Sequence, residues 1–197
     1  MSDAPFGFQA IRNREGGQLR TKVYRVTATG NTHGIFVGDP VNFNGSGLGI
    51  VRLSSNVAAT ARCLGAVSEL YDDSGRPLTF SQPSRGPYLP AATAGWAAVY
   101  DAQSTSFIVQ ADASAAETLV GQYVTMTAVS QAGNTAAGTS KIQIKVSSGD
   151  TSVKTFQVIG IAPTEQKALG SFAGNLGWGN SGIDLEVRIA THALTST

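Results

Sequence analysis

From Lys22 onward, apolar and polar residues alternate with a period of two, and Gly, Asn, Asp or Pro clusters interrupt the alternation roughly every 10 residues. Successive side chains of a strand point to opposite faces, so this pattern specifies half-buried strands rather than long helices. Strands are expected at 22–27, 35–37, 41–43, 49–53 and 63–71, then a turn at Asp72-Asp73-Ser74-Gly75 and a return strand at 76–80. Others are expected at 97–100, 107–110, 122–129, 141–146, 155–161 and 184–190. Lys141-Ile142-Gln143-Ile144-Lys145-Val146 and Asp184-Leu185-Glu186-Val187-Arg188-Ile189 alternate most cleanly. Many short strands with frequent turns predict an all-β fold, a small barrel or sandwich. Residues 81–95 contain Pro83, Pro87 and Pro90 and are expected to form a loop, as are the small residues of 131–140. At most one short helix is expected, at 114–119, where Ser114 and Glu117 stand at capping-box spacing and Gly121 follows.

The first 20 residues do not share this pattern. They are aromatic and basic, with Phe6, Phe8 and Ile11 interspersed with Arg12, Arg14 and Arg20, and Gly7, Gly16 and Gly17 keep the backbone adaptable. Such a segment cannot bury its own apolar surface. It must dock on the body of its own chain or on a neighbour. The expected organisation is an extended N-terminal arm over 1–20 and one β-barrel or sandwich domain over 21–197. That domain carries a glycine-rich loop at 170–182, whose Phe172 and Trp178 have the character of an interaction loop.

The side-chain inventory contains no evident catalytic constellation. His33 and His192 are the only histidines, and neither has a metal-ligating neighbour at a productive spacing. Cys63, the one cysteine, lies in the apolar run Cys-Leu-Gly-Ala-Val and reads as a buried thiol. Asp72-Asp73-Ser74-Gly75 lacks the later ligands of a calcium loop. Gly45, Gly47 and Gly49 lack the strand-and-helix context of a nucleotide site. Asp101 and Asp112 flank the strand at 107–110 and could form the carboxylate pair of a hydrolase, although solvated carboxylates at strand ends are the commoner arrangement. Tyr88, Trp96 and Trp178 could stack on sugars, but such residues more often anchor cores or interfaces. No cofactor and no metal are expected.

Charge points the same way. Charged residues make up 14% of the chain and the net charge is +1, which argues against a general nucleic-acid or membrane binder. The distribution is uneven: Arg12, Arg14, Arg20, Lys22 and Arg25 face only Asp3 and Glu15 within the first 25 residues, and no basic residue occurs between Arg85 and Lys141. Met-Ser-Asp-Ala-Pro lacks the basic start and apolar run of a signal peptide, so a soluble protein made in a cytoplasm is expected.

Several short motifs occur in an order that resembles a known family. They are Pro5-Phe6-Gly7-Phe8 with Arg12, Lys22-Val23-Tyr24-Arg25-Val26, and Gly38-Asp39-Pro40-Val41. Leu64-Gly65-Ala66-Val67 before the Tyr71 turn, Val99-Tyr100-Asp101, and Phe107-Ile108-Val109-Gln110-Ala111-Asp112 continue the series. Together, over about residues 5–125, they resemble the capsid cement, or decoration, proteins of tailed bacteriophages, particularly marine and cyanobacterial phages. The resemblance implies a non-enzymatic protein on the outer capsid surface of the virion, made in the host cytoplasm. Its partners would be the major capsid protein and further copies of itself, most simply a homotrimer, with no role for nucleic acid or membrane. Phe6, Phe8, Ile11 and Trp178 would then fill apolar pockets of the partner, and Arg12, Arg14 and Arg20 would pair with its carboxylates. The alternative is a head-fibre or tail-associated module that binds host glycans.

Overall fold

The computed structural model describes residues 5–45, 49–53, 61–79, 86–127, 133–152, 154–162 and 178–194. Eleven strands form two sheets among these residues. β2 (Lys22–Val26), β3 (Pro40–Phe43), β4 (Ile50–Arg52), β5 (Gly65–Tyr71) and β6 (Gly95–Tyr100) close into a barrel in the order β2-β4-β3-β5-β6. Its pairings are antiparallel apart from the Val26–Ile50 contact of β2 with β4. The remaining strands are β1 (Gln9–Asn13), β7 (Thr105–Gln110), β8 (Tyr123–Met126), β9 (Ile144–Asp150), β10 (Phe156–Ile161) and β11 (Asp184–Ile189). They form an antiparallel sheet ordered β1-β7-β11-β10-β8-β9. The all-β fold expected from the alternation is the fold observed.

The two sheets meet along β5. The run Cys63-Leu64-Gly65-Ala66-Val67 is apolar without alternation because both of its faces are buried. Leu64 and Val67 point into the barrel with Val26, Val41, Ile50, Leu70, Ala97 and Val99. Cys63 and Ala66 point the other way, into a core shared with Phe107, Val109, Val124, Phe156, Leu185 and Val187 of the six-stranded sheet. Gly65 sits between them, where a Cβ would lie 2.0 Å from the Tyr100 carbonyl oxygen, so only glycine lets β5 and β6 approach this closely. The Cys63 thiol is fully buried, and burial pushes its pKa up to about 12, which makes it a packing group rather than a nucleophile.

The chain start departs from the expected extended arm. Gln9–Asn13 is an edge strand on β7, and Phe8 is 2% exposed, with its ring 4.7 Å from Phe156 and 6.2 Å from Phe107. The segment docks on its own chain because a Phe side chain gains about 2–3 kcal/mol on burial and the open end of the sheet core offers it a pocket. Gly7 and Gly38 make the docking possible. The Phe8 amide donates to the Gly38 carbonyl at 2.8 Å, and a Cβ on Gly38 would stand 2.7 Å from the Phe6 carbonyl oxygen.

Other elements are shifted or shortened. The expected helix at 114–119 is a single 3-10 turn, Glu117–Leu119, with no side-chain cap; the Ser114 hydroxyl instead donates to the Gly179 carbonyl at 2.7 Å. The return strand at 76–80 reduces to a bridge between Tyr71 and Pro77, since Pro77 has no N–H to extend a ladder; Phe80 lies outside the described residues. Ile35 and Val37 form isolated bridges to Leu89 and Thr139. The strand expected at 141–146 begins at Ile144 and runs on to Asp150. Of the glycine-rich loop at 170–182, residues 178–182 are described and lie in turns, and Phe172 falls outside them.

A buried ion pair stands at the join of the two sheets. Asp39 and Arg52 have side chains 0% and 3% exposed and approach to 3.0 Å. The Phe36 amide donates to the same carboxylate at 2.9 Å, and Ser140, from the segment leading to β9, also bonds to it. Burial raises the Asp39 pKa to about 6 despite the guanidinium beside it.

Candidate interaction surface

The expected partner-binding residues divide into two groups. Phe8 and Arg12 belong to the chain's own fold. Arg12 forks onto Glu186 of β11 through Nε and Nη2, at 2.7–3.0 Å. The Glu186 side chain is only 4% exposed, so a buried carboxylate finds its counter-charge in the strand next but one. Phe6 and Ile11 flank Phe8 and are half-buried. Trp178 is half-buried against the core of the six-stranded sheet, and the amide of its neighbour Gly179 donates to the Ala115 carbonyl at 2.8 Å. Phe8 and Arg12 are therefore committed to the chain's own fold, while Phe6, Ile11 and Trp178 are only partly covered by it.

Arg14 and Arg20 are different. They lie on the connection that leaves the six-stranded sheet at Asn13 and enters the barrel at Lys22. Its base is pinned, because the Arg14 amide donates to the Ser104 carbonyl at 2.9 Å and the Glu15 amide to the Asn13 side chain at 3.1 Å. Its tip projects. Gly16 and Gly17 both have positive φ, 83° and 93°, and residues 14–18 and 20 are exposed. Lys22 completes the run, with its ammonium 5.5 Å from the Tyr24 ring centroid.

Two clefts border this connection. One, of about 590 Å³, is lined by Arg14, Glu15, Ser104, Tyr123, Arg188 and His192. The other, of about 250 Å³, lies between Gly16, Gly17, Arg20 and the β6–β7 turn. Arg188 is held by a 2.7 Å bond from its Nε to Gln157, a neutral partner. Among the described residues, Arg14, Arg20 and Arg188 form no ion pair; Arg14 and Arg188 share the larger cleft with Glu15, and Arg20 lines the smaller one. Burial lowers the His192 pKa, keeping that ring neutral at pH 7. Such a surface attracts carboxylates, and Arg binds them in fixed bidentate geometry.

Arg188 and Tyr123 were not singled out from sequence. A signal did exist, because the alternation of β11 places Asp184, Glu186 and Arg188 on one face of the strand. What period alone does not reveal is that Arg12 neutralises Glu186 and leaves Arg188 to the surface.

The other candidate groups have structural partners. Asp101 accepts the Tyr24 hydroxyl at 2.5 Å, and Asp112 accepts the Val146 amide at 2.9 Å. Tyr88 stacks on Phe36, and the Arg25 guanidinium lies 4.8 Å above the Trp96 ring. Among the described residues no three His, Cys, Asp or Glu side chains are grouped to hold a metal ion, and no helix is long and apolar enough to cross a membrane. Compared with family models, curated proteins and solved structures, the chain gave no match.

Proposed function

We propose that this chain is a non-enzymatic capsid cement protein of a tailed bacteriophage. It binds the outer surface of the head between major capsid subunits, as a homotrimer, and holds the shell against the pressure of packaged DNA. The ordered motifs over about residues 5–125 support the family reading. The observation that carries the contact surface is the projecting 14–21 connection, where Arg14 and Arg20, with Arg188 behind them, lack anionic partners among the described residues. Capsid contact is therefore assigned to this cationic connection rather than to Phe8 and Arg12.

The test is binding of the purified protein to heads that lack it, with heat protection of the heads as a second readout. The unmodified chain binds and protects. The double reversal Arg14→Glu with Arg20→Glu retains its fold, since both side chains are exposed, and binds at least about tenfold more weakly at low salt. Failure of the unmodified chain to bind overturns the cement reading and moves a host-facing role ahead. Equal binding by the reversal variant keeps that reading but removes the contact from this surface.

A further inference from the structure

On another part of the barrel, a cleft of about 670 Å³ opens between the Asp72–Asp73 turn and the segment 86–94. Its volume falls within the range of about 300–1,000 Å³ typical of small-molecule sites. Tyr88 supplies an aromatic wall. Its ring is half-buried and lies nearly parallel to Phe36, 6° apart with centroids at 4.8 Å, so Phe36, itself 2% exposed, fixes the tyrosine from behind. Leu89, next in sequence, exchanges two 2.9 Å backbone bonds with Ile35 and locks the base of the same wall.

The opposite lip is held in a costly conformation. Ala92 has φ +56°, the left-handed region that residues other than glycine seldom adopt. Asn31, 1% exposed, imposes it. The Asn31 side chain donates to the Pro90 and Thr93 carbonyls at 2.6 and 3.1 Å, while its backbone carbonyl accepts the Ala92 amide at 2.7 Å. Strain maintained by a buried side chain is typical of ligand-binding loops. At the rim, Asp73 is 62% exposed, and Arg25 beside it completes a donor–acceptor pair. The Thr93 hydroxyl adds a small polar group.

We propose that this cleft is a carbohydrate-binding site. Tyr88 stacks on the apolar face of a sugar ring, Asp73 accepts hydrogen bonds from its hydroxyls, and the stiff 90–93 lip sets the width. No lysine or arginine is among the described residues that line the cleft, and Arg25 at its rim is already paired with Asp73, which disfavours phosphate or an acidic peptide. A fixed aromatic wall combined with mixed hydrogen-bonding groups suits a neutral polyol. The site is independent of the capsid contact, being formed by other residues and measurable on isolated protein.

The full chain is screened on a printed array of bacterial surface oligosaccharides, and the best binder is then titrated by calorimetry. Tyr88→Ala and Asp73→Asn each weaken binding by about tenfold or more. Ala92→Gly relieves the strained dihedral, so it leaves thermal stability equal or higher while still lowering affinity severalfold. That split separates loss of a site from loss of fold, should Tyr88→Ala disturb Phe36. An array without hits overturns the proposal. So does a hit whose affinity none of the three substitutions changes, or one displaced by a proline-rich peptide.

Discussion

The barrel is built from residues 22–100 alone, whereas the six-stranded sheet joins segments from 9–13, 105–126, 144–161 and 184–189. Their interiors differ accordingly. The fully buried residues of the barrel core are aliphatic, with Val26, Val41, Ile50, Leu64, Val67, Leu70 and Val99 filling a narrow closed space and the aromatics Tyr24 and Phe43 only partly buried against it. The sheet has one open face to cover, and it does so with bulk: Phe8, Phe107, Phe156 and Met126, packed against the outer side of β5. A closed barrel supplies its own walls. An open sheet must recruit them, and here it recruits the first described residues of the chain and the flank of its neighbour.

Phe8→Ala tests that dependence most severely. It empties a pocket bounded by Phe107 and Phe156, and the expected loss is about 3–5 kcal/mol in urea unfolding. Amide exchange should accelerate in β1, β7 and β11 more than in the barrel; uniform acceleration would show the two bodies to be one cooperative unit. The second test addresses the join. Because burial raises the Asp39 pKa from 3.8 to about 6, the folded state keeps a proton that the unfolded chain has released. The associated stability is complete below about pH 4 and is lost as pH rises through about 6, by about 3 kcal/mol. Unfolding of the unmodified chain and of Asp39→Asn, followed from pH 4 to 7, should differ by that slope; parallel curves would refute it. The smallest effect belongs to the barrel. Ile50→Val removes one methylene from a fully buried site and costs about 1 kcal/mol by the same urea assay, with amide exchange in the six-stranded sheet unchanged.

The period-two alternation made most of the fold legible. Strands at 22–27, 63–71, 107–110 and 184–190 lie within a residue or two of their observed places, because there each strand has one consistent buried face. β1 was illegible for a specific reason. Its register shifts between Ala10 and Arg12, so the bulge interrupts alternation within a strand of only five residues. The helix expected at 114–119 is cut to the 3-10 turn Glu117–Leu119 because its start is read from spacing alone. Ser114 was free to bond Gly179, 65 positions away, and that contact removed the cap. The surface was legible only in part. That Arg14 and Arg20 were basic and clustered could be read directly, but which arginines remain available depends on Arg12 reaching Glu186, 174 positions along the chain. Pairings that distant leave no local trace.

The arrangement of the strands also bears on how the molecule is made. Chains emerge from the ribosome from their N-terminus at about 5–20 residues per second, and domains fold as units when their last element appears. All five barrel strands have been synthesised once Tyr100 is out, so the barrel can close while the rest is still being translated. The six-stranded sheet has no such early start. β11 sits between β7 and β10, so the sheet stays divided until Ile189 has emerged. Phe8 precedes in the chain every strand of the sheet that buries it and finds its complete pocket only when β11 has been made, and throughout that interval the finished barrel would carry an exposed phenylalanine of the kind a holding chaperone recognises.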